Sequence, residues 1–287
     1  MWNILVAKEP VLIPDNIFSY QGVTNDIYSE FINSFPNIIN EIRKYEYGIV
    51  ILENFGKLFL LYIDKSCLPN LCGHASLGLV HLFAGIFGNN KDFIFNTKAG
   101  QIVGKRENET IYIQMPESIL HNNLIETNLS FIKNTVLAEC GNRFIINEIE
   151  NINSKNISEL QEISINLINQ YNVYGVFWFN FINFNHSIKT QSITIFGNKG
   201  QIDLSPCGTG TSSLVGYLYK TGKLSKNEIL NNFSLNNEMF TVQFDKTEPL
   251  KPTLSYKSNI EILEKIDFDK YNNQTNWKLI NIKDFTI

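Results

Sequence analysis

Two short stretches of this chain share nearly the same pattern, and each contains a cysteine at its second position. The first is Leu71-Cys72-Gly73-His74-Ala75-Ser76-Leu77-Gly78-Leu79-Val80, and the second is Pro206-Cys207-Gly208-Thr209-Gly210-Thr211-Ser212-Ser213-Leu214-Val215. In both, a glycine follows the cysteine, a hydroxyl residue lies four positions after it, and a Leu-Val pair lies seven and eight positions after it. Apolar residues at that spacing belong to the buried stripe of a helix. The pattern predicts a helix beginning at Cys72, another beginning at Cys207, and a duplicated scaffold with one thiol in each half.

Length and composition limit the fold and the partners. At 287 residues the chain suits two lobes of ordinary size, and its 44% hydrophobic residues suffice for sizeable cores. A net charge of −4 with scattered basic residues argues against nucleic acid as a partner. Four cysteines in an intracellular chain are typical of reduced thiols rather than of a disulfide framework.

Neither the first residues nor the apolar runs indicate export or a membrane. The first eight residues lack the basic start of a signal peptide and reach a lysine too soon. The apolar run over residues 174–184 is too short, and too interrupted by asparagine, to span a bilayer. We therefore expect a cytoplasmic protein that acts on a small molecule and has no membrane partner.

Strand-like segments surround each of the two cysteine helices. The order strand, strand, helix, strands occurs twice, which is an α+β pattern. We expect two pseudo-symmetric lobes, each a mostly antiparallel sheet wrapped around a central helix. The N-terminal lobe is placed at residues 1–118, completed by residues from about 262 to 287, and the C-terminal lobe at residues 119–261.

Other local patterns predict further elements. Apolar periodicity predicts helical structure over residues 26–45, as one helix or as two broken at Pro36, and an amphipathic helix over residues 158–170. The asparagine pairs Asn122-Asn123 and Asn231-Asn232 are predicted in surface loops, and no function is drawn from them.

A cysteine at a helix start has a particular chemistry. Unsatisfied N–H groups and the positive end of the helix dipole favour its thiolate, so we expect the pKa of Cys72 and of Cys207 to lie below the usual value of about 8.5. The same N–H groups can bind a carboxylate. If two such helix starts face each other, one thiolate can remove a proton from one face of a carbon while the other thiol supplies a proton to the opposite face. Racemisation or epimerisation of an amino acid without a cofactor needs such a pair.

Neighbouring residues complete this hypothetical site. The backbone amides of Gly73, His74, Gly208 and Thr209 are candidates for binding the substrate carboxylate. The side chains of His74 and Asp203 are candidates for meeting its amino group. The substrate predicted by this set is an amino acid.

At these residues the chain resembles the proline racemase family, which also holds hydroxyproline epimerases and has the diaminopimelate-epimerase fold. Residues 68–74 are similar to the first catalytic signature of that family, and residues 203–211 to the second. Weaker likeness occurs at Glu9-Pro10, at residues 97–100 and at Gly141-Asn142. The resemblance implies that Cys72 and Cys207 are acid/base thiols, with His74 and Asp203 as partners of the substrate amine. It also implies a site in the cleft between two lobes, no metal or pyridoxal phosphate, and a homodimer.

The chain also departs from the family pattern. Leu204 stands where the second signature normally has arginine, and Cys140 replaces the first glycine of a Gly-Gly-Asn motif. Leu5-Val6-Ala7-Lys8 stands where the family has His-Thr ahead of Glu-Pro. The dehydratase branch has threonine in place of the second cysteine, so Cys207 favours a racemase or epimerase. Proline or hydroxyproline is the default substrate, and the departures leave the side chain of the substrate open.

Simpler interpretations stand beside each of these. Cys67 and Cys140 are predicted to be small buried hydrophobes. A metal site formed by Cys67, Cys72 and His74 is disfavoured because the spacing is poor and no second cluster follows. His74 could be only a polar residue at a helix start, and Asp203 only a cap or turn former. A phosphate loop at Gly208 is disfavoured because no lysine of the required kind follows it.

Two other functions remain as alternatives. One is an isomerase of a non-amino-acid substrate, like the phenazine-biosynthesis isomerases, which lack the second Ser-Pro-Cys-Gly-Thr-Gly segment. The other is a catalytically silent amino-acid-binding protein, against which the two intact thiols argue.

Overall fold

The structure is a computed structural model that describes residues 2–6, 10–121, 125, 129–183, 187–244, 251–257, 260–266 and 276–287. The chain divides into two compact units, one of Met1–Ile111 with Lys257–Ile287 and the other of Tyr112–Tyr256. The first is called the Cys72 unit and the second the Cys207 unit.

The described residues form strands and α-helices that alternate along the chain. The strands are β1 Trp2–Val6, β2 Pro10–Pro14, β3 Asn16–Tyr20, β4 Tyr47–Asn54, β5 Lys57–Asp64, β6 Phe93–Thr97, β7 Gly100–Glu107, β8 Thr110–Gln114, β9 Ile119–His121, β10 Ile132–Cys140, β11 Asn142–Ile149, β12 Gly175–Asn183, β13 Ile188–Phe196, β14 Gln201–Asp203, β15 Leu230–Ser234, β16 Met239–Phe244, β17 Pro252–Lys257, β18 Glu261–Ile266 and β19 Trp277–Asn281. The α-helices are α1 Ile27–Ser34, α2 Pro36–Ile42, α3 Gly73–Phe87, α4 Ile157–Tyr171 and α5 Gly208–Lys220. This composition confirms the predicted α+β class.

The sheet of the Cys72 unit mixes antiparallel and parallel pairs. Antiparallel pairs join β1 to β2 and β18, β3 to β19, β4 to β5 and β6 to β7. Parallel pairs join β4 to β2 and β3, and β5 to β6. The predicted helical stretch is two helices, because Pro36 begins α2 at a position where its missing N–H costs nothing.

Helix α3 is buried on every side of its first half. All residues over Gly73–Val80 are buried, which is the pattern of a helix enclosed by its sheet rather than lying on it. The approach of the sheet is close: a Cβ added to Gly104 on β7 would lie 2.2 Å from Cγ2 of Val80. The helix ends at Phe87, and the C-cap residue that follows is Gly88, whose φ of 99° suits a glycine.

The Cys207 unit repeats this plan with two α-helices among its described residues, where the Cys72 unit has three. Its pairs are antiparallel except for β11 with β12 and β13 with β15. Helix α5 is buried over Gly208–Leu218. Helix α4 is amphipathic and covers the opposite face of the sheet, where the indole N–H of Trp178 donates to Ser164 Oγ at 2.9 Å.

The prediction of surface loops for the asparagine pairs is wrong for Asn231-Asn232. Both residues lie in β15, and Asn232 is fully buried. Its amide faces Thr190 across the β13–β15 pair and hydrogen-bonds to it, which allows a polar side chain to be buried there. Asn122 and Asn123 lie outside the described residues. Among the helices that are described, none is long and apolar enough to cross a membrane.

Candidate active site

The first predicted thiol lies at the start of α3. Cys72 is the N-cap residue, with extended φ and ψ of −124° and 113°, and it is half-buried. Its carbonyl oxygen accepts from the backbone N–H of Ser76 at 3.1 Å and from Ser76 Oγ at 2.7 Å. The hydroxyl of Ser76 is also 2.7 Å from the hydroxyl of Tyr62 on β5. The hydroxyl residue of the motif therefore fixes the cysteine backbone to the sheet.

His74 occupies the second residue of α3, and its ring is fixed by stacking. The side chain is buried, and its ring lies 5.9 Å from that of Tyr47, with 16° between the planes. Tyr47 is the first residue of β4, so the imidazole is oriented by the sheet. Gly73 and His74 lie in the first turn of α3, where N–H groups point towards the N-terminal end of the helix.

The second predicted thiol lies at the start of α5 in a closely similar setting. Cys207 is the N-cap residue, and its sulfur accepts from the N–H of Gly210 at 3.4 Å and lies 3.5 Å from Thr209 Oγ1. Its carbonyl oxygen accepts from the N–H of Thr211 at 2.8 Å. Thr211 Oγ1 in turn accepts from the amide of Asn232 at 2.8 Å. As in the first unit, the residue four positions after the cysteine ties the helix start to the sheet.

The prediction of a lowered thiol pKa is wrong for Cys207. Its pKa is raised to about 11, chiefly by burial, with 9% of the residue exposed, and secondly by the negative charge of Asp203. The hydrogen bonds from Thr209 and Gly210 favour the thiolate but are outweighed. At neutral pH the Cys207 sulfur therefore carries its proton, as an acid would.

Asp203 is held in a tight turn between β14 and α5. Its Oδ1 accepts from the N–H of Ser205 at 3.0 Å and from Ser205 Oγ at 2.6 Å, and the residue is buried. The turn-forming contact of the simpler interpretation is thus present, whereas the cap of α5 is Cys207. Leu204 lies between these buried residues with 43% of its surface exposed.

Two further residues border the second thiol, and one of them, Thr194, was not predicted from the sequence. Thr194 on β13 lies directly opposite Asp203, and Phe177 on β12 lies directly opposite Thr194. Opposite residues point to the same face of a sheet, which here is the face under α5. A Cβ added to Gly210 would lie 2.4 Å from Cδ2 of Phe177 and 3.4 Å from the sulfur of Cys207. The alternation of polar residues along β13 was the available sequence signal.

The other two cysteines have structural settings. Cys140 is buried and donates to the carbonyl of Pro116 at 3.2 Å, as the prediction of a buried small residue requires. Cys67 is half-buried, contrary to that prediction, and its thiol donates to the buried carboxylate of Asp64 at 3.1 Å. Burial raises the pKa of both thiols. No group of three or more His, Cys, Asp or Glu side chains suited to a metal ion occurs in the described parts of the chain.

Each unit therefore assembles its own half of the predicted set. Cys72, Gly73 and His74 lie together at the start of α3, and the remaining residues lie together at the start of α5. The facing arrangement of the two helix starts stays a prediction. Gly141 has a φ of 86° in the turn between β10 and β11, which suits the glycine of the weaker motif, and residues 7–9 lie outside the described residues.

Known proteins resemble this chain in sequence pattern and in fold. A family model for proline racemase matches residues 54–253. No curated protein sequence matches significantly. A hydroxyproline epimerase from Agrobacterium vitis, solved with bound trans-4-hydroxy-L-proline, is 15% identical with a TM-score of 0.65, and the match covers 91% of this chain and 90% of that one.

Two further solved structures have a similar fold. One is a protein from Agrobacterium radiobacter K84 assigned as a proline racemase and solved with carbonate, at 16% identity and a TM-score of 0.65, covering 93% of this chain and 94% of that one. The other is a phenazine-biosynthesis PhzC/PhzF-type protein from Clostridium difficile, at 13% identity and a TM-score of 0.62, covering 93% of this chain and 99% of that one. At such identities the likeness establishes the fold alone.

Proposed function

Because this chain belongs to the proline racemase family, we propose that it is an amino-acid racemase or epimerase in which Cys72 and Cys207 are the two acid/base thiols. The observation that carries the proposal is the repeated construction of the two helix starts. In each, the cysteine is the N-cap residue, and its carbonyl is held by the residue four positions later. A construction built twice in one chain suits a reaction that needs one proton-transfer group on each face of a carbon.

In the proposed reaction the two thiols exchange roles in each turnover. The thiolate of one cysteine removes the α-proton, so that the C–H bond breaks and an S–H bond forms. The electron pair is delocalised into the carboxylate, which is bound by N–H groups at Gly73, His74, Gly208 and Thr209. The thiol of the other cysteine then gives its proton to the opposite face of the carbon and becomes the thiolate. No cofactor takes part in this sequence.

The high pKa of Cys207 supports an unequal starting state. Burial and Asp203 keep this thiol protonated in the free protein, so Cys207 begins as the acid. The role of the first base is assigned to Cys72 because the mechanism needs a thiolate on the other face of the carbon. Asp203, oriented by Ser205, and His74, oriented by Tyr47, would meet the substrate amine. A bound ammonium group beside Asp203 would offset its charge and favour the Cys207 thiolate when that state is needed.

The proposed substrates are proline and 4-hydroxyproline. The Agrobacterium vitis structure holds trans-4-hydroxy-L-proline, and the family is named for proline. The exposed apolar side chain of Leu204 beside Asp203 favours a substrate without a further anionic group at that place. A homodimer and a cytoplasmic location are parts of the same proposal.

The experiment that tests the function is α-deuterium wash-in from deuterated water, combined with polarimetry. We expect L-proline or trans-4-hydroxy-L-proline to exchange its α-hydrogen and to lose optical purity. Cys72→Ser and Cys207→Ser should each abolish racemisation, whereas the matched control Cys140→Ala should keep it. Full racemisation by either serine variant would refute the two-thiol mechanism.

A second candidate follows from the similarity to the phenazine-biosynthesis protein. An isomerase of that kind would act on a substrate that is not an amino acid. The second Ser-Pro-Cys-Gly-Thr-Gly segment disfavours it. Failure of every amino acid to exchange its α-hydrogen would favour this candidate, and calorimetric binding of an amino acid without exchange would favour a silent binding protein.

A further inference from the structure

A row of buried hydroxyl residues runs along β13 beneath α5. Thr190, Ser192 and Thr194 alternate along the strand, and all three are buried. Their neighbours Ile193 and Ile195 belong to the core formed with α4, so the hydroxyl row points to the other face. Buried hydroxyls on the core side of a strand are unusual and need hydrogen-bond partners.

The first two members of this hydroxyl row have such partners. Thr190 Oγ1 donates to the side-chain oxygen of Asn232 at 2.9 Å, and the amide of Asn232 donates to Ser192 Oγ at 2.8 Å. The same amide donates to Thr211 at the first turn of α5. The side chain of Asn232 thus hydrogen-bonds to two hydroxyl groups of β13 and to one of α5.

Thr194 is the member that this network does not reach. The residue is fully buried, and its hydroxyl makes no hydrogen bond of complete geometry in the described parts of the chain, although it lies close enough to the Cys207 thiol to lower the pKa of that group. A buried hydroxyl in that condition is unfavourable for the folded state, whereas valine would fill the same volume without the cost. Stability alone therefore gives no reason for a threonine at this position.

The position of Thr194 in the sheet gives another reason. It lies directly opposite Asp203 on one side and Phe177 on the other. The ring of Phe177 is packed against Gly210, whose N–H donates to the Cys207 sulfur. Thr194 therefore lies in the sheet directly beneath the thiol, between two residues that border it.

We propose that the Thr194 hydroxyl donates a hydrogen bond to the Cys207 sulfur when that sulfur is a thiolate. A protonated thiol is a weak acceptor, whereas a thiolate is a strong one. Thr194 would then be the third donor to the sulfur, after Gly210 N–H and Thr209 Oγ1. It is a positioning residue that stabilises the state in which Cys207 acts as the base, and in this sense it rests on the proposed function.

The groups around the sulfur agree with this role. Asp203 on β14 is the charged group that faces it, and this charge and burial both raise the pKa of Cys207. The groups from α5 and β13 are neutral, and those of Thr209, Gly210 and Thr194 lower that pKa. Burial and the Asp203 carboxylate both disfavour the Cys207 thiolate. The hydrogen-bond donors from the helix and the sheet offset these two effects.

The test compares Thr194→Val, Thr194→Ser and the control Ser192→Ala in the full chain. The rate of alkylation of Cys207 by iodoacetamide is measured from pH 7 to 10 in peptides resolved by mass spectrometry, which separates Cys207 from the other cysteines. A hydrogen bond to a charged group implies that Thr194→Val slows this alkylation about tenfold at each pH below the pKa. Thr194→Ser should stay near the wild-type rate, and so should Ser192→Ala.

A second readout excludes a merely structural role. Because Thr194→Val removes a buried hydroxyl that makes no hydrogen bond of complete geometry, we expect its Tm to be unchanged or higher while the reactivity of Cys207 falls. Equal alkylation rates in Thr194→Val and wild type would overturn the inference, as would equal losses in the valine and serine variants. Alkylation needs no substrate, so failure of α-deuterium wash-in would refute the proposed function without affecting this result.

Discussion

Replacing Gly210 by alanine tests how closely the second thiol is packed. The added methyl group would lie 2.4 Å from Cδ2 and 2.8 Å from Cε2 of Phe177, where ordinary carbon contacts are about 3.5–4.0 Å. Phe177 is fully buried in β12, between β11 and β13, so its ring has little room to move. Overpacking of this kind costs about 1–3 kcal/mol, against a helix-propensity gain of about 1 kcal/mol for alanine. Because the ring has little room to move, we expect a cost in the upper part of that range, about 2–3 kcal/mol, and so a net loss of about 1–2 kcal/mol in the free energy of unfolding.

The assay is urea unfolding followed by tryptophan fluorescence, which reports on both units, with the buried Trp178 in the same unit as Gly210. Gly85→Ala is the matched control, because Gly85 is also helical but nothing lies within 4 Å of the added Cβ. That control should be neutral or stabilising by up to about 1 kcal/mol. The double variant Gly210→Ala with Phe177→Leu should be more stable than the sum of the single effects predicts, because leucine leaves room for the methyl group.

Activity should follow the same geometry. The Gly210 N–H donates to the Cys207 sulfur, so a displaced first turn of α5 should lower the racemisation rate at least about tenfold. If Gly210→Ala is as stable as wild type, or if the Phe177 substitution gives no relief, then the close contact between helix and sheet does not constrain the thiol, and the reasoning is refuted.

Three other substitutions test the remaining contacts. Asp203→Asn removes a charge that helps to raise the pKa of Cys207, so alkylation of Cys207 at pH 8 should become faster. In wild type the alkylation rate should keep rising with pH up to about 11. A plateau of the wild-type rate below pH 8 would contradict this. Glu148→Gln weakens a buried cluster in which Lys223 Nζ lies 2.7 Å from the carboxylate, and should lower the free energy of unfolding by about 1–3 kcal/mol; unchanged stability would count against that cluster. Asn232→Leu leaves three buried hydroxyls without their amide partner and should cost at least about 2 kcal/mol, with wild-type urea unfolding as the contrary result.

The sequence was sufficient for the features that depend on local pattern. The two cysteine helices, the amphipathic α4 and the helical stretch over residues 26–45 follow from periodicity, and the structure has all of them. For that stretch a break at Pro36 was one of two alternatives, and the structure has the break. The repeated motif also located the two thiols at their helix starts. These features are fixed within a few residues of one another, which is why one sequence was enough.

Features that depend on distant residues could not be predicted in this way. Strand β15 has the sequence Leu-Asn-Asn-Phe-Ser, which is typical of a loop until Thr190 and Ser192 of β13 supply partners for its buried amide. The raised pKa of Cys207 has the same origin, because burial by the sheet outweighs the helix start. The helix start is a local property, whereas the degree of burial is set by the whole unit.

The two helix starts also differ in what lies beneath them. Ser76 is tied to a phenol, that of Tyr62, while Thr211 is tied to an amide, that of Asn232. Consider a chimera in which the first helix start receives the Cys-Gly-Thr-Gly-Thr segment of the second. Its second threonine, which is larger than Ser76 and β-branched, would lie against Tyr62 and would lack the amide that Asn232 provides to Thr211. The two helix starts are therefore not interchangeable, because each is matched to the residue of its own sheet that hydrogen-bonds to it. A redesign that moves either helix start must also move that sheet residue.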